Sequence, residues 1–220
     1  MDGNALEIED AFWQPAQRRP GSHLTNARVE LATPVGRAAA EYVSRWGWPV
    51  MVGARLPARG DRCGLGACSD VLELTTDLER VREWWTRWPH AGIVTPAGEA
   101  FDMVTLPVKA GHRVLERLTS GGAWLGAVMS DDDTVTLLVA TGQAQQWTSV
   151  ANLLGTGFAH IGTGQLVVLP PGSPQGDSTV RWVVPPTDAN VPHLPEFEDL
   201  SELIMTVALR KRDRWRRSCR

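Results

Sequence analysis

Asp102 is the residue with the most chemistry to offer. It lies in Ala100–Leu106, a short apolar run preceded by Pro96 and Gly98 and stopped by Pro107. A carboxylate on such a strand is a candidate ligand for a hard divalent cation, which prefers oxygen donors. Where two carboxylates end a strand, a metal pair can stabilise both the attacking and the leaving oxygen of a phosphoryl transfer. This strand carries one acid where that chemistry wants two. The plainer role for Asp102 is to cap a strand end or to pair with an arginine.

Other residues could complete or replace such a site. His160 stands beside a glycine-rich turn, where it could contact a phosphate or move a proton, although no acid lies near it in sequence to orient it. Gly162 and Gly164 could let backbone amides approach a phosphate, but a tight turn into a strand asks for glycine equally. Asp131-Asp132-Asp133 is an acidic cluster whose alternation along a strand would scatter its carboxylates, which favours a solvated turn over a metal site. Cys63 and Cys68, with four residues between them and no histidine nearby, cannot close a tetrahedral zinc shell, so no metal ligands are assigned. Trp84, Trp85 and Trp88 could stack on bases, yet their helical spacing on one apolar face reads as core.

The charge is unevenly spread. The net charge is −3, but residues 210–220 hold seven Lys/Arg and one acid, leaving −9 on the rest. Arg210, Lys211, Arg212, Arg214, Arg216 and Arg217 are therefore candidate phosphate contacts for a nucleic acid; a solvated extension of the last helix is the alternative.

The elements that must position these groups follow from periodicity and punctuation. Thr33-Pro34 starts a helix over Val35–Trp46, which Gly47 ends. Trp48–Val52 reads as a buried strand. Thr76-Asp77-Leu78-Glu79 has the form of a capping box with Thr76 as the cap, and the helix after it keeps Leu78, Val81, Trp84, Trp85 and Trp88 on one face until Pro89. After a short apolar segment at Ile93–Val94 and the Asp102 strand, a helix covers Val108–Leu118. Trp124–Met129 and Thr134–Ala140 form a hairpin around the aspartates. Gln145–Leu154 is a short helix or an irregular segment. Leu166–Leu169 and Val180–Val184 suit a second hairpin, and a last helix covers about Glu198–Arg210. The order predicts an α+β fold, a mixed sheet with hairpins and flanking helices.

At 220 residues and 43% apolar, the chain has the size and composition of one domain. The expected division is a flexible arm over 1–33, a domain over 34–209 and a basic tail over 210–220. There is no run of about 18 apolar residues to span a membrane, and the acidic N-terminus does not have the form of a signal peptide. Three cysteines fit a reducing compartment. The expected location is the cytoplasm, with no membrane partner.

Ala39…Trp46-Gly47-Trp48-Pro49-Val50, then Glu83-Trp84-Trp85-Thr86-Arg87-Trp88-Pro89-His90-Ala91-Gly92-Ile93 and Gly98, resembles the N-terminal domain of bifunctional DNA primase–polymerases, in the archaeo-eukaryotic primase superfamily. Gly162–Gly172 resembles that family's glycine-strand-Pro-Pro segment, with Arg181-Trp182 and Pro185-Pro186 following. The likeness runs from about Val35 to Leu203. It implies a primase–polymerase fold, a nucleic-acid or nucleotide partner, a role in DNA replication, and Mg²⁺ or Mn²⁺ if the protein is active. It also implies three motifs that this chain departs from. For acid-x-acid, the strand offers Asp102, Met103 and Val104, or Val104 and Leu106 if shifted by two. For Ser-x-His, Ser130–Val135 holds no histidine. For an acid before the glycine segment, Phe158-Ala159-His160-Ile161 has none.

Three readings remain open. The first is a catalytically degenerate relative that binds nucleic acid or nucleotide, or serves as a scaffold. The second is an active primase/polymerase using Asp102 with Asp131–Asp133, and with His160 as its acid–base. The third is a module that meets a protein partner.

Overall fold

The computed structural model describes residues 31–53, 73–122, 126–155, 157–172 and 180–218, with side chains up to 207. The expected arm over 1–33 and the Cys63–Cys68 loop lie largely or wholly outside those residues.

The first helix, α1 (Pro34–Trp46), is set by its ends. The Thr33 hydroxyl accepts from the Gly36 amide, Pro34 opens the first turn, and Gly47 closes the helix with φ +65°. A side chain there would strain the left-handed backbone. The chain then makes β1 (Met51–Gly53) and α2 (Leu78–Arg87). The cap of α2 is Asp77, whose carboxylate accepts from the Glu79 amide; Thr75, not Thr76, accepts from the Asp77 amide. The expected box does not form: the cap sits one residue later, which puts Arg80 at the third helical position where the box needs Glu or Gln, and a carboxylate at Asp77 favours the positive end of the helix.

Next come β2 (Gly92–Pro96), β3 (Asp102–Pro107) and α3 (Val108–Ser120). The hairpin of β4 (Val128–Ser130) and β5 (Thr134–Val139) turns on the aspartates as expected. Asp131 Oδ1 accepts from the Asp133 amide and from the amide and hydroxyl of Thr134. The helix α4 (Ala144–Leu154) is regular, and a strand that the sequence did not announce, β6 (Ala159–Ile161), follows it. The chain ends with β7 (Leu166–Leu169), β8 (Arg181–Val184) and α5 (Phe197–Ser218). The backbone of α5 stays helical past Arg210, so the basic segment continues the helix.

The strands form two sheets, ordered β1-β2-β7 and β6-β3-β5-β4-β8, with every pairing antiparallel. Of the expected second hairpin only one antiparallel bridge forms, Gly172 to Val180: β7 pairs with β2 and β8 with β4, in different sheets. Pro170 and Pro171 explain why β7 stops, since neither has an amide to extend a ladder. The fold is α+β, as predicted.

Both faces of the five-stranded sheet are covered. One core joins α1, α2 and the small sheet to Met103, Met129 and Leu138 of the large one. The other joins Val104, Leu106, Leu137 and Val139 to Trp147 and to Leu200 and Ile204 of α5. Trp84 and Trp85 belong to the first core, and the Trp85 indole donates to the Ala91 carbonyl, so the α2 tryptophans pack inward. Gly111 lets α3 lie against β5, since a Cβ there would sit 2.3 Å from Val135 Cβ.

Tyr42, the only tyrosine in the chain, ties three segments together. Its hydroxyl donates to the Pro170 carbonyl and accepts from the Trp182 indole at 2.8 Å. Burial pushes its ionisation well above the ordinary phenol value of 10. In the unfolded chain the phenol ionises near pH 10 while the folded one keeps its proton, so this contribution is full below that pH and is lost as pH rises further. We expect denaturant-measured stability to fall above about pH 10, and Tyr42→Phe to flatten that fall. At neutral pH the same variant should cost about 1–3 kcal/mol, because the Trp182 indole N–H loses its acceptor.

Candidate functional site

The site is organised by the alternation of β3. Successive side chains of a strand point to opposite faces, and residues directly opposite on a neighbouring strand share a face. Val104 and Leu106 pack in the helix-side core with their partners Leu137 and Val135. Asp102 shares their parity, so its side chain is on the helix side. Met103 and Thr105 have the other parity and line a cleft of about 330 Å³. Leu166, Val167 and Val168 of β7 line the same cleft, so it lies where the small sheet meets the large one.

Asp102 is 2% exposed. Its Oδ2 lies 3.1 Å from His160 Nε2, across the β3–β6 ladder. Its Oδ1 is buried with no hydrogen-bond partner among the described residues. The acid that orients His160 is therefore found, but 58 residues away in sequence. The pair needs the short strand β6, which places His160 opposite Val104.

Gly162 is the floor of this pair. A Cβ there would lie 2.6 Å from His160 Cε1 and 3.3 Å from Asp102 Oδ1. Its amide donates to the Gln165 side chain at 2.9 Å, so that donor is already engaged. Gly164 has φ +83° and open space around its α-carbon, so it serves the turn's backbone. The same turn packs on the β2–β3 connection: the Ala97 amide donates to the Gln165 carbonyl, and a Cβ on Gly98 would meet Thr163 at 2.4 Å.

The structure brings Asp102, His160 and Gly162 together and keeps Asp131 apart from them. Asp131 is at the opposite end of β3, since Asp102 pairs with Val139 and Pro107 with Thr134. Five residues of strand separate them by roughly 15 Å, far beyond the reach of one metal ion. The side chains of Arg210, Lys211, Arg212, Arg214, Arg216 and Arg217 lie outside the described residues, on the helical continuation of α5.

The cleft's own lining was hidden in the sequence. Thr105 and Thr136 hydroxyls are 3.1 Å apart across the ladder. Met103, Met129 and Ile161 flank them, and Ser130 and Asp131 stand at the rim. The signal that could have found them is the odd parity of β3, set beside the pairing of Thr105 with Thr136.

A divalent metal pair needs converging carboxylates. Among the described residues no three His, Cys, Asp or Glu side chains gather to hold a metal. In the cleft the one described carboxylate is Asp131, and its Oδ1 is already held by three turn donors. These residues do not fit a two-metal site.

Because a Cβ at Gly162 would press on the His160 ring, Gly162→Ala should lower stability by about 1–3 kcal/mol. In a His160→Ala background the same substitution should cost much less. Equal costs in a double-mutant cycle of denaturation curves would mean that the imidazole is not what crowds the site.

The family model for bifunctional DNA primase/polymerase, N-terminal, matches residues 39–197. That span covers both sheets, α2, α3, α4 and most of α1, and stops at the first residue of α5. Comparison with curated proteins and with solved structures finds no match. No helix among the described residues is long and apolar enough to cross a membrane. The match covers well over half of the chain, and the chain belongs to the bifunctional DNA primase/polymerase N-terminal domain family.

Proposed function

We propose that this protein is a catalytically degenerate primase/polymerase-like domain that binds nucleic acid or nucleotide, or acts as a scaffold, without polymerising. One observation carries the reading: the cleft face of β3 presents Met103 and Thr105, while the strand's acid is turned to the other face and held by His160. Thioether and hydroxyl groups cannot replace a pair of carboxylates as Mg²⁺ or Mn²⁺ ligands at a developing phosphoryl charge. His160 is engaged with Asp102, so the imidazole acts here as a partner of the acid and not as a free proton carrier. The competing active reading requires Asp102 and Asp131–Asp133 to share an ion, and their separation along β3 opposes it. The basic run at the end of α5 supports the binding role, because each phosphate it neutralises releases counterions.

Incubated with primed template, deoxynucleoside triphosphates and Mg²⁺ or Mn²⁺, the protein should give no extension. Robust extension abolished by Asp102→Ala or by Asp131→Asn would overturn the reading. Affinity for single-stranded DNA should fall steeply with salt. Replacing Arg214, Arg216 and Arg217 by Gln should reduce the log–log salt slope by about 2; an unchanged slope would remove the basic segment from the interface.

A further inference from the structure

We propose that the cleft between the two sheets binds a small uncharged heteroaromatic molecule, of nucleobase or nucleoside size, without metal or phosphate. The inference rests on reading the cleft as catalytically degenerate, and it names what such a cleft would hold.

Size comes first. A cavity of roughly 150 Å³ accommodates a benzene ring, and ligand pockets begin near 300 Å³. At about 330 Å³ this cleft suits a bicyclic ring, or one ring with a small polar arm.

Charge comes second. No Lys, Arg or His is among the described residues lining the cleft, and Asp131 brings a carboxylate to its rim. Phosphate groups require cations or free amides, so a triphosphate finds no partner here and meets a like charge. A neutral ligand pays no such penalty.

Chemistry comes third. Met103 and Met129 present two thioethers, which make favourable contacts with ring edges. Ile161, Val168 and Val180 supply aliphatic walls. Between them is one polar rung, Thr105 Oγ1 to Thr136 Oγ1 at 3.1 Å. One of these hydroxyls donates to the other, which leaves a hydrogen and lone pairs for a ligand. Thr136 is 5% exposed, so its hydroxyl is held in place by the sheet. Apolar walls around this donor–acceptor rung, with Ser130, Asp131 and Thr134 grouped at one end, suit a flat molecule with a hydrogen-bonding edge.

Titration calorimetry on the full chain tests this with adenosine, guanosine, cytidine and thymidine, each beside its triphosphate with and without Mg²⁺. At least one nucleoside should bind, and its triphosphate should bind at least tenfold more weakly. Thr136→Val removes the hydroxyl at nearly constant volume and should weaken nucleoside binding about tenfold. Thr105→Val, at a half-buried position, should do the same and serves if the first variant fails to fold. No nucleoside binding would overturn the proposal, while absence of primer extension would leave the degenerate reading standing. Tighter binding of a magnesium triphosphate would overturn both. Nucleoside binding indifferent to both threonine variants would place it elsewhere and overturn the proposal.

Discussion

A carboxyl group removed from water needs a hydrogen-bond partner, and at Asp102 that partner is a histidine brought from another strand. The contact joins β3, the second strand of the large sheet, to its edge strand β6. It also decides which face of β3 does what. With the acid committed to the helix side, the alternation of the strand leaves Met103 and Thr105 to face the cleft. Two of the three connections between the sheets, after β2 and after β6, are stacked beside this contact through Ala97, Gly98, Thr163 and Gln165. The small sheet is thereby fixed against the large one at the end where the acid is buried.

A sheet covered on both sides has little tolerance for change. β5 reads Thr-Val-Thr-Leu-Leu-Val, with five of its six residues buried, and its alternate side chains serve two separate cores. The close approach at Gly111 shows how little room α3 has above Val135. Interiors packed to this density transmit volume changes instead of absorbing them. The cleft is the relief in that arrangement, a place where the two sheets do not fully interlock.

Much of the architecture is legible in the chain itself. The helices are, because Thr33-Pro34, Gly47, Pro89 and Pro107 punctuate clear 3.6-residue spacing. The β4–β5 hairpin is, because three aspartates between apolar runs can only be a turn. What escapes is long-range. Nothing local says that Leu166–Leu169 pairs with Gly92–Pro96 while Arg181–Val184 joins a different sheet. Ala159–Ile161 is too short to announce itself as a strand, so the partnership of His160 with Asp102 could not be read from spacing. The candidate site shows the same limit. Asp102 is conspicuous as a lone acid in an apolar run, whereas Thr105 and Thr136 become a rung only when the ladder aligns them.

The wall formed by Met103, Thr105 and Thr136 has a thermodynamic consequence. Clustered carboxylates repel one another until an ion neutralises them, which makes a fold's stability depend on dissolved cations. Thioethers and hydroxyls carry no such self-repulsion. This strand therefore keeps its place without an ion from solution to offset mutual repulsion.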